Sequence, residues 1–182
     1  AQEGARLALA RERAWAALDE RLGPALGRVA APETSVAARY VPGGPTDAGE
    51  FAERLLASRA ADLRRGAATF GPQRDDIELM VDGRAARACA SQGQQRLITL
   101  ALKFAELECV RLARGAHPVL LLDDVSSELD PDRTRAVAAW LDASESQVFV
   151  TTTRRDLFRD GALSEPDRRD FSLVRGSLEM SR

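Results

Sequence analysis

The apolar run of residues 119–122, followed at once by Asp123 and Asp124, constrains this chain more than any other stretch. Four consecutive apolar residues within 118–123 read as a strand buried on both faces, as in the centre of a parallel sheet. Open α/β sheets bind ligands at the carboxyl edge of such strands, so the two acids stand where chemistry is expected. Adjacent carboxylates there call for a counter-cation. Asp123 suits magnesium, a hard ion that takes oxygen ligands and arrives with substrate phosphates, and Asp124 suits polarising a water. The alternative is that both acids simply cap the next turn.

The surrounding pattern decides what kind of sheet this is. Residues 6–29 carry Leu7, Trp15, Leu18, Leu22, Leu26 and Val29 at helical spacing, and residues 34–41 are β-prone. Pro42, Gly43, Gly44 and Pro45 then break regular structure and read as a linker or loop. A second helix follows, with Thr46 or Asp47 as its cap, Phe51, Leu55, Leu56 and Leu63 on its apolar face and Gly66 as its stop. Residues 1–66 therefore read as a mainly helical accessory segment, with a domain boundary before Ala67.

From there the composition shifts. Residues 68–70 and 77–81 read as strand, turned into a hairpin by Asp82-Gly83. Residues 94–114 read as the longest helix, with Leu97, Leu100, Ala101, Phe104, Leu107 and Leu112 inward and Gly115 as its stop. Asp130 and Pro131 open another helix, running to Asp142. Residues 147–152 form an apolar strand, and residues 171–180 a closing hairpin turned at Arg175-Gly176. The alternation of strands and helices after residue 67 predicts an α/β sheet layered with helices.

Composition enters mainly by exclusion. The formal net charge is -2, so any nucleic-acid contact must use local patches. Arg54, Arg59, Arg64, Arg65 and Arg74 enrich one region, but Glu53, Asp62, Asp75 and Asp76 interleave with them, which reads as a solvated face. Cys89 and Cys109 have no metal-site spacing, and a reduced, cytoplasmic setting is expected. No run is long enough to span a membrane, and no leader-like segment opens the chain.

Ser91, Gln92, Gly93, Gln94 and Gln95 precede the predicted long helix, where a serine hydroxyl, a glycine backbone and helix N-terminal amides suit a phosphate. The same five residues also make an ordinary helix start. In order along the chain come GPQRDD, SQGQQR, LLLDDVSSELD and QVFVTTT. This ordered set resembles the carboxyl-terminal half of an ATP-binding-cassette (ABC) ATPase head, most closely the RecF-like members of the SMC-like group.

The resemblance implies an α/β P-loop-type head over residues 67–182, with residues 1–66 as the returning part of a helical arm. It makes Ser91 to Gln95 the signature that meets the γ-phosphate of ATP held by a partner subunit. Residues 119–123 become the Walker B strand, with Asp123 on Mg2+ and Asp124 in the place of the usual glutamate base. Aspartate is one methylene shorter, so slow hydrolysis is expected. Ser127, Glu128, Leu129 and Asp130 match the D-loop at the dimer seam, and Thr153 falls at the switch position that is histidine in transporter cassettes. Arg74, Asp75 and Asp76 match a GPHRDD segment in which Gln73 replaces histidine.

The function so implied is an ATP-dependent DNA-binding repair protein. Its heads would dimerise on ATP, clamp DNA at junctions of single and double strand, and work with recombination mediator proteins. The 182 residues contain no GxxxxGK[ST] phosphate loop, and Lys103, the single lysine, lies within a predicted helix. Weak ATPase activity is accordingly expected of a complete protein, and negligible activity of this chain alone. The competing readings are a non-catalytic interaction module on a cassette-like fold and, disfavoured by the missing switch histidine, a transporter cassette subunit.

Overall fold

A computed structural model describes residues 1–29, 35–124, 130–154 and 168–181. The chain divides into two compact units, Ala1–Arg114 and Gly115–Arg182.

The first unit is built on two long helices. Helix α1, Gln2–Val29, buries Ala5, Ala8, Leu22, Ala25, Leu26 and Val29, so small residues line the early part of its stripe and larger ones the end. Leu7, expected inward, is half exposed. With 28 residues, α1 is longer than the helix predicted to be the longest, because it begins at Gln2 and continues through Pro24. Strand β1, Val36–Val41, leads to helix α2, Ala48–Arg65. Asp47 caps α2 by accepting from the Glu50 N–H at 2.9 Å, and Gly66 ends it at φ 68°, a left-handed conformation in which a glycine costs little.

Residues 68–70, expected as strand, form bends that lead into a short 3-10 turn, Pro72–Arg74. Strand β2, Asp76–Val81, pairs antiparallel with β1 over its whole length, from Val36 opposite Val81 to Val41 opposite Asp76. It then turns through Asp82 and Gly83, both at positive φ as a two-residue hairpin requires, into β3, Arg84–Ala85. The β1–β2 ladder crosses residue 66, where a boundary was expected. After a single turn of helix, α3 (Ala86–Cys89), helix α4 runs over Gln92–Arg114. It packs along α1 and buries Leu97, Ile98, Ala101, Phe104 and Ala105. Leu112 is exposed, since the last turn of α4 extends beyond this buried stripe.

The second unit holds the predicted parallel pair. Strand β4, Leu120–Leu122, lies beside β5, Val148–Val150, with Leu121 opposite Phe149. Between them, helix α5, Pro131–Ala143, buries Thr134, Val137, Ala138, Trp140 and Leu141. The expectation of burial on both faces fails here. Leu120 and Leu122 are buried, but Leu121 is 72% and Phe149 55% exposed, because side chains alternate and nothing among the described residues covers the second face. Strands β6, Asp170–Val174, and β7, Ser177–Ser181, form the closing hairpin, turned at Arg175 and Gly176.

Candidate functional site

The start of α4 is a reciprocal cap. The Ser91 hydroxyl accepts from the Gln94 N–H at 3.2 Å, while the Gln94 side-chain oxygen accepts from the Ser91 N–H at 2.9 Å. This is the capping box of an S-x-x-Q sequence, satisfying two amides that a helix start leaves without backbone partners. Gln95 reinforces it by donating its side-chain amide to the Ala90 carbonyl at 3.0 Å. Gln92 and Gly93 form the first turn of the helix. A serine used this way still has its own proton to give, because the hydroxyl accepts from the amide through a lone pair.

Within the GPQRDD segment Gln73, Arg74 and Asp76 are exposed, as in a solvated turn, but Asp75 is not. The Asp75 side chain is only 7% exposed and accepts from Arg11 of α1 at 2.8 Å and from the Gly43 N–H at 2.8 Å. Arg11 donates as well to the Pro72 carbonyl, and Gly71 N–H donates to Gly43 O at 2.8 Å. Residues 42–45, expected as a linker or loop, form a loop packed against residues 71–75. A Cβ on Gly43 would lie 2.5 Å from Gly71 O and 2.6 Å from the Arg74 carbonyl carbon, so the two backbones meet where only glycine fits.

Tyr40 completes this node. Its hydroxyl is buried beside Asp75 but short of good hydrogen-bond geometry, and burial, with the Asp75 charge adding to it, pushes the phenol up to about 12. Burial also pushes the Asp75 carboxyl up, yet the bonds from Arg11 and Gly43 outweigh it and hold the group below the ordinary carboxylate range. Gln73 donates to the Phe70 carbonyl at 2.7 Å and closes the turn on which Arg74 and Asp75 sit. Arg74 donates to the Ala68 carbonyl at 3.2 Å, and Asp76 pairs with Arg87 at 3.1 Å.

In the second unit, β4 delivers Asp123 and Asp124 to the carboxyl end of the parallel pair. Thr151, directly after β5, joins them. Its hydroxyl donates to Asp123 Oδ1 and accepts from the Asp124 N–H at 2.9 Å. Asp124 turns at φ 46°, and one of its carboxylate oxygens is buried, whereas Asp123 is exposed. Sequence reasoning missed Thr151 as a partner of the acids, because only strand register places it beside them. Thr153, the expected switch position, is exposed. Ser127, Glu128 and Leu129 lie outside the described residues. Asp130 caps α5, accepting from Arg133 N–H at 2.9 Å.

The donor set fits a hard cation that brings most of its own ligands. Asp123 offers exposed carboxylate oxygen, and Asp124 stands next to it. Carboxylate oxygen is the ligand type that Mg2+ takes, one or two such groups together with phosphates. No described helix is long and apolar enough to cross a membrane.

Comparison with known proteins places these features in a family. Residues 69–165 match the sequence model of the RecF/RecN/SMC N terminal domain. The chain is 51% identical over 139 residues to the DNA replication and repair protein RecF of Anaeromyxobacter sp. (strain Fw109-5), covering 73% of this chain and 38% of that relative. It is 40% identical over 182 residues to RecF of Anaeromyxobacter sp. (strain K), covering 95% of this chain and 48% of that relative. The chain thus spans about half the length or less of the curated relatives it matches.

Among solved structures, the recombination mediator RecF with ATP in the RecFOR pathway superposes with a TM-score of 0.74 at 28% identity, over 98% of this chain and 47% of that one. An SMC ATPase studied for ATP-driven dimerisation matches at 0.56 and 20% identity, over 96% of this chain and 88% of that one, a likeness of fold. The layered α/β architecture expected from the sequence is that of an ABC-type ATPase head. The capped helix start, the paired acids and the strands carrying them lie in or beside the matched region, and the chain belongs to the RecF/RecN/SMC family, on its RecF branch.

Proposed function

We propose that this chain is the carboxyl-terminal part of an ATP-dependent, DNA-binding recombinational repair protein. The observation that carries the reading is the pair Asp123 and Asp124 at the carboxyl end of β4, held by Thr151 in a parallel sheet, within a chain of the RecF branch. In this reading Asp123 is the Mg2+-side acid and Asp124 orients the attacking water. Ser91, Gln92, Gly93, Gln94 and Gln95 form the signature, with the Ser91 proton directed to the γ-phosphate of ATP on a partner head. Ser127, Glu128, Leu129 and Asp130 line the seam of an ATP-dependent homodimer, and Thr153 occupies the switch position.

ATP joins two heads, the dimer clamps DNA at single-strand to double-strand junctions with recombination mediator partners, and slow hydrolysis releases it. The protein acts in the cytoplasm. Residues 1–66 return from a helical arm, and the phosphate-gripping loop belongs to residues outside this sequence. The test is a complete protein carrying Ser91→Arg or Asp123→Asn. Loss of ATP-dependent dimerisation in the first and of turnover in the second is expected; parental behaviour of both would sink the reading.

A second reading, a non-catalytic interaction module, is favoured by α2, whose Leu56 and Leu63 are 72% and 75% exposed. With Leu55 and Arg59 they line a shallow groove of about 550 Å³. ATPase activity on mixing this chain with a separately made phosphate-loop half would exclude it.

A further inference from the structure

Thr151 is the side chain that both acids share. Its backbone N–H donates to Leu122 O at 2.9 Å, carrying the parallel ladder one step past the end of β5. That bond fixes the level of Thr151 along β4 and sets its side chain against the residues that leave the strand. The hydroxyl then makes two bonds of opposite sense. An amide can only donate, so Asp124 N–H uses a hydroxyl lone pair, at 2.9 Å, and the hydroxyl proton goes to Asp123 Oδ1.

Each bond restrains something the chemistry needs. With Oδ1 held, the Asp123 carboxylate no longer turns freely about its Cβ–Cγ bond, and its other oxygen has a set direction for a cation. Asp124 adopts φ 46°, a left-handed conformation that costs a non-glycine residue free energy and persists where neighbours hold it. The bond from Asp124 N–H to Thr151 is such a hold, and it aims the second carboxylate relative to the first. The strand β5 thereby transmits its register directly to the orientation of both acids.

We infer that Thr151 is a positioning residue for the nucleotide site, its hydroxyl orienting Asp123 and Asp124 together. This rests on the proposed reading of the two acids. Thr153, two residues later, is the position the family resemblance selects; the hydroxyl that reaches the acids is that of Thr151.

The experiment compares the complete protein with Thr151→Val, which keeps the branched shape without the hydroxyl, and Thr151→Ser, which keeps the hydroxyl. Thr151→Ala repeats the deletion without branching, should valine misfold. Without nucleotide, amide hydrogen exchange at Asp124 is expected to quicken roughly tenfold in the valine or alanine variant and to stay near parental in the serine variant. With ATP, the Mg2+ concentration giving half-maximal dimerisation is expected to rise roughly tenfold in the same variants, with serine again near the parent. Unchanged exchange in the valine and alanine variants overturns the contact. A defect in serine equal to that in valine overturns the role of the hydroxyl. Faster exchange in Thr151→Val together with parental turnover in Asp123→Asn overturns the positioning role at a nucleotide site while leaving the contact intact, which separates this failure from the first.

Discussion

Arg11 in α1 and Asp75 after the Pro72–Arg74 turn, 64 residues apart, meet at 2.8 Å with the carboxylate almost fully buried. The Gly43 N–H donates to the other carboxylate oxygen. Helix α1, the loop after β1 and the GPQRDD turn are thereby tied at one acid, and removing that acid leaves a cation and an amide facing each other.

Asp75→Asn is expected to destabilise the first unit by about 2 kcal/mol at neutral pH, the order found for hydrogen bonds to charged groups. The folded Asp75 carboxyl lies below its unfolded value of about 3.9, so its contribution is fully present above that pH and drains as pH falls through the depressed folded value. Chemical denaturation from pH 7 down to about 3 tests this. The variant should lose less stability over the acid range than the parent.

Tyr40 works in the opposite direction. Its folded value of about 12 lies above the ordinary value of 10.0, so the neutral phenol contributes stability that is intact below the ordinary value and is lost as pH rises towards the folded one. The chain has a single tyrosine, so tyrosinate absorbance reports it cleanly. The midpoint should stand near 12 in the folded protein and drop to the ordinary value on unfolding. Tyr40→Phe should abolish the signal and flatten the alkaline loss of stability.

Gly43→Ala should be more harmful than its size suggests. The new methyl would meet backbone atoms at 2.5 and 2.6 Å, which cannot swing away as a side-chain end can. A loss of about 1–3 kcal/mol is expected, as for other forced overpacking. Alanine at Gly23, where nothing lies within 4 Å, is the control and should be neutral or mildly stabilising in a thermal melt.

Ser91→Ala should cost about 1 kcal/mol from the lost cap alone. Ser91→Asp restores a capping oxygen and should recover most of that stability, yet it places a negative charge where a γ-phosphate is proposed. Thermal melts and ATP-dependent dimerisation measured side by side should therefore diverge in the aspartate variant. If the two follow each other, Ser91 is a cap and nothing more.

What the sequence made legible was local. Asp47 and Gly66 at the ends of α2, Asp130 before Pro131, and the Asp82-Gly83 and Arg175-Gly176 turns rest on backbone groups within a few residues, and each was readable from residue type. The acids were readable for the same reason, since strand and carboxylates are contiguous. The node of Arg11, Tyr40 and Asp75 was not, because burial of a charge depends on which distant segment covers it. Thr151 was hidden likewise, being 28 residues from Asp123 and placed by register alone. The exposed face of Leu121 shows the converse error, in which apolar character was taken to imply a cover on both sides.

Gln73 closes its turn through an amide. An amide carries no proton that comes and goes near neutrality, and the chain's one histidine, His117, belongs to the second unit. With Asp75 held below the carboxylate range and Tyr40 raised to about 12, neither of these two groups changes charge across the acidity a cell experiences. The fastening of α1 to the GPQRDD turn therefore holds unchanged over that range and yields only at the extremes of acid and alkali.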